Sequence, residues 1–306
     1  MSRQRRSALD RAFTELNPRS QNRDRGHPAI ELSGSQSNRG LEYRDSGSGV
    51  PVVFLHPTPL DRDYWRPLIE CVGGIRAIAP DLRGHGGSEL GEHLPVGLFA
   101  RVPDAPVLTI PDLAADVIAL LDALRLPQAV FAGCSIGGYV LFELWRRARE
   151  RISGLVFICS KPQPDAEAGL AKRVANIASV REAGTGPLFD GMAKSLIGAA
   201  AQTRRPEIVN ELRAHMTLTA EAAVAVQAGL AVRPDSVPTV ASIDVPVLAI
   251  AGGEDPAVNA EEMKALLAAP GGCEYHLLPD AGHFAAYEQP DKIASLLADW
   301  LKQLDV

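Results

Sequence analysis

From about residue 29 onward, short and almost wholly apolar runs recur along the chain, each bounded by Gly, Pro or polar clusters. Residues 50–55, VPVVFL, are the clearest; 76–79, 128–132, 154–159, 245–251 and 274–278 follow. Runs of this length and make-up predict strands. They are continuously apolar rather than alternating, which predicts a sheet covered on both faces and therefore mostly parallel. Two more short strands are predicted at 29–32 and 41–44, flanking the turn-rich SGSQSNRG.

Helical periodicity fills the intervals. Thr109-Ile110-Pro111-Asp112 reads as a capping box with Pro in the first turn. It opens a helix whose Leu113, Val117, Leu120, Leu121 and Leu124 share one face. Further helices are predicted at 138–149, 257–268 and 290–304. Strand alternating with helix predicts an α/β fold with a mostly parallel central sheet and helices on both faces. The alternation breaks at 161–242, where only helical spacing is found: Leu170, Val174, Ile177, then Ile208, Leu212, Met216, then an Ala-rich stretch with Thr219 as N-cap. The expected organisation is thus a core of 29–160 and 243–306 interrupted by a helical cap. The irregular stretch 91–108, with Pro95, Pro103 and Pro106, is expected as a surface loop near the same rim.

Composition narrows the picture. The chain has 306 residues, 46% hydrophobic and 22% charged, enough for one large domain with its own core. The net charge of −6 gives no electrostatic reason to expect nucleic acid or an anionic membrane as partner. No apolar run approaches the roughly 20 residues of a membrane helix. Residues 1–28 are polar and Arg-containing without an apolar segment, so a disordered tail is expected rather than a secretory signal. Cys71, Cys134, Cys159 and Cys273 are widely spread and form no C-x-x-C, which predicts buried thiols in a reducing, cytoplasmic setting and no structural metal.

The chemistry concentrates at strand ends. Gly133-Cys134-Ser135-Ile136-Gly137-Gly138 is a G-x-S-x-G between a predicted strand and a predicted helix, the context of a nucleophile elbow. The small neighbours permit a sharp turn, and the helix N-terminus faces the hydroxyl. A serine needs a base. Of seven histidines, His283 follows the last predicted strand and so lies at the same sheet edge as Ser135. The adjacent acids Glu254 and Asp255 follow the preceding strand, and Asp255 is the favoured partner, giving the chain order serine, acid, histidine. The backbone N–H of Ile136 is one expected oxyanion donor. The other is expected from the loop after residue 55, where Pro57 and Pro59 lack an N–H and leave Thr58. His56 in that loop is expected to be structural. Trp65, Leu188, Phe189, Met192 and Leu196 are candidates for the substrate pocket, with packing inside the insertion as the alternative for the last four.

With these residues in place, the sequence resembles the α/β-hydrolase superfamily from about residue 29 to the end. The loop 56–61 with Trp65 resembles its HGxPLD…W pattern, with Pro57 at a usual glycine. Residues 81–88, DLRGHGGS, resemble its D-x-R-G-x-G-x-S turn. The elbow, the Asp255 loop and Gly282-His283 complete the set. The helical insertion is similar to that of the branch with 3-oxoadipate enol-lactonases and small esterases. The resemblance implies hydrolysis of a small carboxylic ester or lactone without a cofactor. Ser135 argues against the branches with an aspartate nucleophile. Two rivals share the motifs: a cofactor-free haloperoxidase or perhydrolase with the same triad, and a non-catalytic small-ligand receptor. Self-association is left open.

Overall fold

The computed structural model describes residues 39–304, together with 25–26 and 30–32. Apart from 25–26, the expected N-terminal tail lies outside the described residues. Among the described residues there are ten strands, β1 (Arg25–Gly26), β2 (Ile30–Leu32), β3 (Arg39–Leu41), β4 (Tyr43–Gly47), β5 (Val50–Leu55), β6 (Ile75–Pro80), β7 (Ala129–Cys134), β8 (Ile152–Ile158), β9 (Val247–Gly252) and β10 (Cys273–Leu278). Eight of them form one sheet in the order β1-β4-β6-β5-β7-β8-β9-β10. From β6 to β10 every pairing is parallel; β4 runs antiparallel to β6 and to β1. The expected mostly parallel sheet is therefore present.

The apolar runs explain the order. Val52, Val53, Phe54 and Leu55 are fully buried, as are nearly all residues of β7 and β9, because these strands are covered on both faces. The cover can be read from β8, where alternate residues face opposite ways. Phe157 stacks on Phe142 of the helix Ile136–Ala148, with ring centroids 4.6 Å apart. A Cβ at Gly154, three residues earlier, would meet the Trp300 ring of the helix Pro290–Leu301 at 2.7 Å. One helix thus lies on each face.

The predicted capping box is present: Asp112 N donates to Thr109 Oγ1 and Thr109 N to Asp112 Oδ2, both at 3.2 Å. Such a cap contributes about 1 kcal/mol. The strand expected at 41–44 is instead two, because Glu42 directs its backbone elsewhere. Its N–H donates to Ser88 Oγ at 2.9 Å and its carbonyl accepts from Asp81 N at 2.8 Å. The hairpin partner Leu41 therefore belongs to β3 and Tyr43 to the main sheet. The helix expected at 257–268 is shorter, an α-turn Ala260–Met263 followed by a 3-10 segment.

Between β8 and β9 the described chain is helical only: Glu167–Ala183, Gly186–Leu196, Ala199–Arg204, Ile208–Ala214, Ala220–Ala231 and Val237–Val240. Thr219 caps the fifth of these by accepting from Ala222 N at 3.2 Å. The stretch 91–108 contains no helix or strand. No helix among the described residues is long and apolar enough to cross a membrane.

Candidate active site

Ser135 stands between the end of β7 and the helix Ile136–Ala148, with φ 53° and ψ −116°. That is left-handed backbone, which costs a non-glycine residue on the order of 1–3 kcal/mol and persists only where the surroundings enforce it. Here they do. Ser135 N donates to Ile158 O at 3.2 Å, and Ser135 O accepts from Ser160 Oγ at 2.9 Å and Tyr139 N at 3.2 Å. The glycines around it are required by space. A Cβ on Gly137 would sit 2.1 Å from Leu55 O, and one on Gly133 would sit 2.5 Å from Gly137 C.

His283 lies beyond the end of β10, on the sheet edge where β7 ends. Its Nδ1 is 2.7 Å from Asp255 Oδ2. Both side chains are covered, at 4% and 0% exposure, so the pair is shielded from water. Asp255 Oδ1 is in turn held by the N–H groups of Ala257 (2.7 Å) and Val258 (3.1 Å). Of the two adjacent acids, the structure brings Asp255 to His283. Glu254 Oε2 instead accepts from Ala200 N at 3.1 Å. With Nδ1–H donating to the carboxylate, Nε2 is the ring atom left to accept a proton.

The histidine and serine loops meet directly. Cys134 Sγ lies 3.6 Å from His283 O, and Cys159 Sγ 3.5 Å from Gly282 O. Among the described hydrogen bonds, none joins His283 to Ser135 Oγ. A link of this kind commonly tightens only when substrate is bound. Burial pushes both thiols upward in pKa, so they stay protonated and inert.

The loop after β5 is locked by two histidines. His56 Nε2 accepts from Leu82 N at 2.9 Å, which places the proton on Nδ1, 3.1 Å from Pro57 O. His85 Nδ1 faces Arg83 O at 3.0 Å and must be the donor there, so Nε2 accepts from Thr58 Oγ1 at 3.0 Å. Burial lowers His56 to about 4 and His85 to about 3, keeping both rings neutral. His56 therefore matches its expected structural role. His85 was not singled out by the sequence pattern, although it lies inside the DLRGHGGS turn. Thr58 N and Ile136 N have no acceptor among the described backbone hydrogen bonds.

The turn 81–88 acts as a bracket. Asp81 Oδ1 accepts from Arg62 N at 2.7 Å and Oδ2 from Gly87 N at 2.8 Å, and Arg62 closes an ion pair on the same carboxylate. This holds the segment that carries Asp61, Tyr64 and Trp65 against β6.

Trp65 is fully buried in the core against Phe54 and Tyr64, with ring centroids 5.2 and 4.8 Å away. Phe189 is also buried, under the Arg213 guanidinium at 5.7 Å, and Leu196 is buried with it. Leu188 and Met192 are partly buried against the core.

Among the described residues, two clusters carry groups able to ligate a metal: Cys159, Asp255 and His283, and Asp61, Asp63 and His215. Their members are engaged otherwise. Asp255 holds His283, Asp61 Oδ2 lies 3.2 Å from His215 Nδ1, and Asp63 pairs with Arg44.

The sequence pattern of the Alpha/beta hydrolase family matches residues 52–296. The chain belongs to this family. A 3-oxoadipate enol-lactonase 2 from Acinetobacter baylyi is 30% identical over 218 residues, 70% of this chain and 73% of that protein. BpoC of Mycobacterium tuberculosis, named as a candidate non-heme bromoperoxidase, is 26% identical over 268 residues, 83% of this chain and 94% of that protein. Among solved structures, a thermophilic esterase from Thermogutta terrifontis superposes with a TM-score of 0.81 at 29% identity, covering 91% of this chain and 99% of the esterase. This hydrolase thus has esterase, enol-lactonase and bromoperoxidase relatives.

Proposed function

We propose that the chain hydrolyses a small carboxylic ester or lactone through an acyl-enzyme on Ser135. The supporting observation is the shielded His283–Asp255 contact at 2.7 Å, on the sheet edge that also presents the strained Ser135 turn. Ser135 Oγ attacks the carbonyl carbon while its proton passes to His283 Nε2. Asp255 keeps Nδ1–H oriented and stabilises the imidazolium that forms. The carbonyl oxygen becomes an oxyanion facing Ile136 N–H and Thr58 N–H. The C–O bond breaks as Nε2–H protonates the leaving oxygen, which in a lactone stays tethered to the acyl group. Water then attacks the acyl-enzyme, losing its proton to Nε2 and regenerating Ser135.

The helical insertion fits the role of a cap. It bonds to the loops carrying Asp61, Glu254 and His283, all at the same edge of the sheet. Neither a cofactor nor a metal enters the mechanism, and the partner is a small molecule.

The test is a panel of lactones and short- to medium-chain esters, run with a fluorophosphonate probe. Turnover together with labelling that Ser135→Ala abolishes supports the reading. A folded chain that hydrolyses nothing and takes no label sinks it. The relationship to BpoC favours a second reading, in which hydrogen peroxide replaces water in attacking the acyl-enzyme and releases a peracid able to oxidise bromide. Bromination dependent on both peroxide and a carboxylic acid, without ester cleavage, would favour that one.

A further inference from the structure

One buried carboxylate gathers backbone N–H groups from both sides of His283. Glu288 Oε2 accepts from Gly282 N at 2.8 Å and from Gly198 N at 3.1 Å; Oε1 accepts from Phe284 N at 3.1 Å. Glu288 is only 9% exposed, and no ion pair reaches it among the described residues. A carboxylate without a cation is expensive to bury unless donors surround it. Burial pushes its pKa up, and the three N–H groups and His283 pull the other way. A glutamine could not replace it in full, since its amide has one acceptor end and its NH2 would face a donor.

The third donor gives the arrangement its meaning, because Gly198 belongs to the helical insertion. The insertion touches the same loops twice more. His283 N donates to Leu196 O at 2.7 Å, and Ala200 N donates to Glu254 Oε2 at 3.1 Å, next to Asp255. Gly198 has an ordinary φ of −60°, so glycine is needed there for space. A Cβ would lie 2.6 Å from Glu254 Oε2, 2.8 Å from Gly282 N and 3.0 Å from Glu288 Oε2. On the facing loop, a Cβ on Gly282 would lie 2.3 Å from Gly198 N. Two glycines thus let the backbone of the insertion press against the backbone that carries the imidazole.

We propose that Glu288 is a positioning residue for His283: by holding Gly282, Phe284 and Gly198 together, it sets the imidazole against Asp255 and Ser135 and ties that setting to the seating of the helical insertion. This rests on the reading of His283 as the general base. Glu288 touches no reacting atom. Its effect passes through the main chain, and displacement of a catalytic group by about 1 Å is enough to lower turnover a hundredfold.

The test uses the full chain with Glu288→Gln and Gly198→Ala. It measures kcat and KM on the best ester of the panel, the rate of fluorophosphonate labelling, the downfield 1H NMR signal of His283 Nδ1–H, and the melting temperature. Glu288→Gln is expected to lower kcat about tenfold to a hundredfold with KM within about threefold. Labelling should slow in parallel and the Nδ1–H signal should shift or broaden. A merely structural role would lower the melting temperature and leave the signal, kcat and labelling of the folded protein unchanged, and that result overturns the inference. If Glu288→Gln does not fold, Gly198→Ala decides: a moved Nδ1–H signal with reduced kcat supports the link, and unchanged values overturn it. A wild-type chain that takes no label, or one in which His283→Ala keeps full activity, overturns the catalytic reading itself and the inference with it.

Discussion

Asp255 Oδ2 and His283 Nδ1 lie 2.7 Å apart, with the carboxylate fully covered and its second oxygen held by two backbone N–H groups. The acid is therefore fixed before the imidazole meets it. Asp255→Asn offers the ring an amide whose NH2 end opposes Nδ1–H and favours the wrong tautomer, so kcat should fall by about 10⁴. Glu254→Gln removes only part of a contact to Ala200 N and should stay within about tenfold of wild type. Steady-state kinetics on both variants check this; the reverse ranking would transfer the role to Glu254.

Acid should destabilise the fold through His56 and His85. Their folded pKa values, about 4 and about 3, lie below the unfolded value of about 6.5 because burial disfavours the charged ring. Between these limits the unfolded chain holds protons that the folded chain does not. Their contribution to stability is therefore complete above about pH 6.5 and is lost as pH falls toward the folded values. Each ring adds a slope of up to about 1.4 kcal/mol per pH unit. Urea unfolding at pH 7, 6 and 5 should show the fall, and His85→Asn should flatten it. An unchanged slope in that variant would refute the assignment.

A second pair acts in the alkaline direction. His215, at the end of the insertion helix Ile208–Ala214, is raised chiefly by its hydrogen bond to Asp61. Burial is the largest single influence on Asp61 and would raise it, but the His215 contact, the nearby His56 and the Asp63 N–H together outweigh it, and the carboxyl ends below its ordinary value. Both directions describe one charged clasp. The raised histidine contributes stability in full below its unfolded pKa of about 6.5, and that stability is lost as pH rises through the folded value. The difference in stability between wild type and His215→Gln should be about 0.5–1 kcal/mol at pH 6 and shrink toward pH 9. A difference independent of pH would show that the ring only packs.

Gly137 is the position where one methyl group should do most damage. Its Cβ would lie 2.1 Å from Leu55 O and 2.8 Å from Leu55 C, both backbone atoms that cannot swing aside. Gly137→Ala must push the Ser135 turn away from the strand leading to Thr58. We expect a loss of about 1–3 kcal/mol or more together with the ester activity. Gly191 is the control. It lies in the helix Gly186–Leu196 with nothing within 4 Å of its Cβ position, so Gly191→Ala should stabilise by about 0.5–1 kcal/mol and leave activity alone. Thermal melts and ester assays on both variants check the contrast.

The parts of this molecule legible from its sequence are those written in side-chain identity. Runs such as VPVVFL had to be buried strands, the Thr109 box had to open a helix, and Ser135 between small residues had to sit on a sharp turn. Asp255 and His283 could be reached because chain order and strand ends place them on one edge. What escaped was recorded in backbone atoms. The links from Leu196, Gly198 and Ala200 use N–H and C=O groups that every residue but proline carries, so no spacing announces them. Glu288 carries no motif in the sequence, and only the fold shows which donors surround it. Trp65 meets a related limit: an aromatic near a motif reads alike in sequence whether it lines a pocket or fills a core, and only the fold shows its packing on Phe54 and Tyr64.

The strand order has a bearing on how the chain reaches its working state. Ser135 follows β7 and Asp255 follows β9, and β8 lies between those strands in the sheet while the whole helical insertion lies between β8 and β9 along the chain. The serine and the acid therefore cannot be registered until a large, slow-closing loop has brought β9 home. During refolding, helix content should return well before turnover, and recovered catalysis would count only chains that had completed their last long-range pairing.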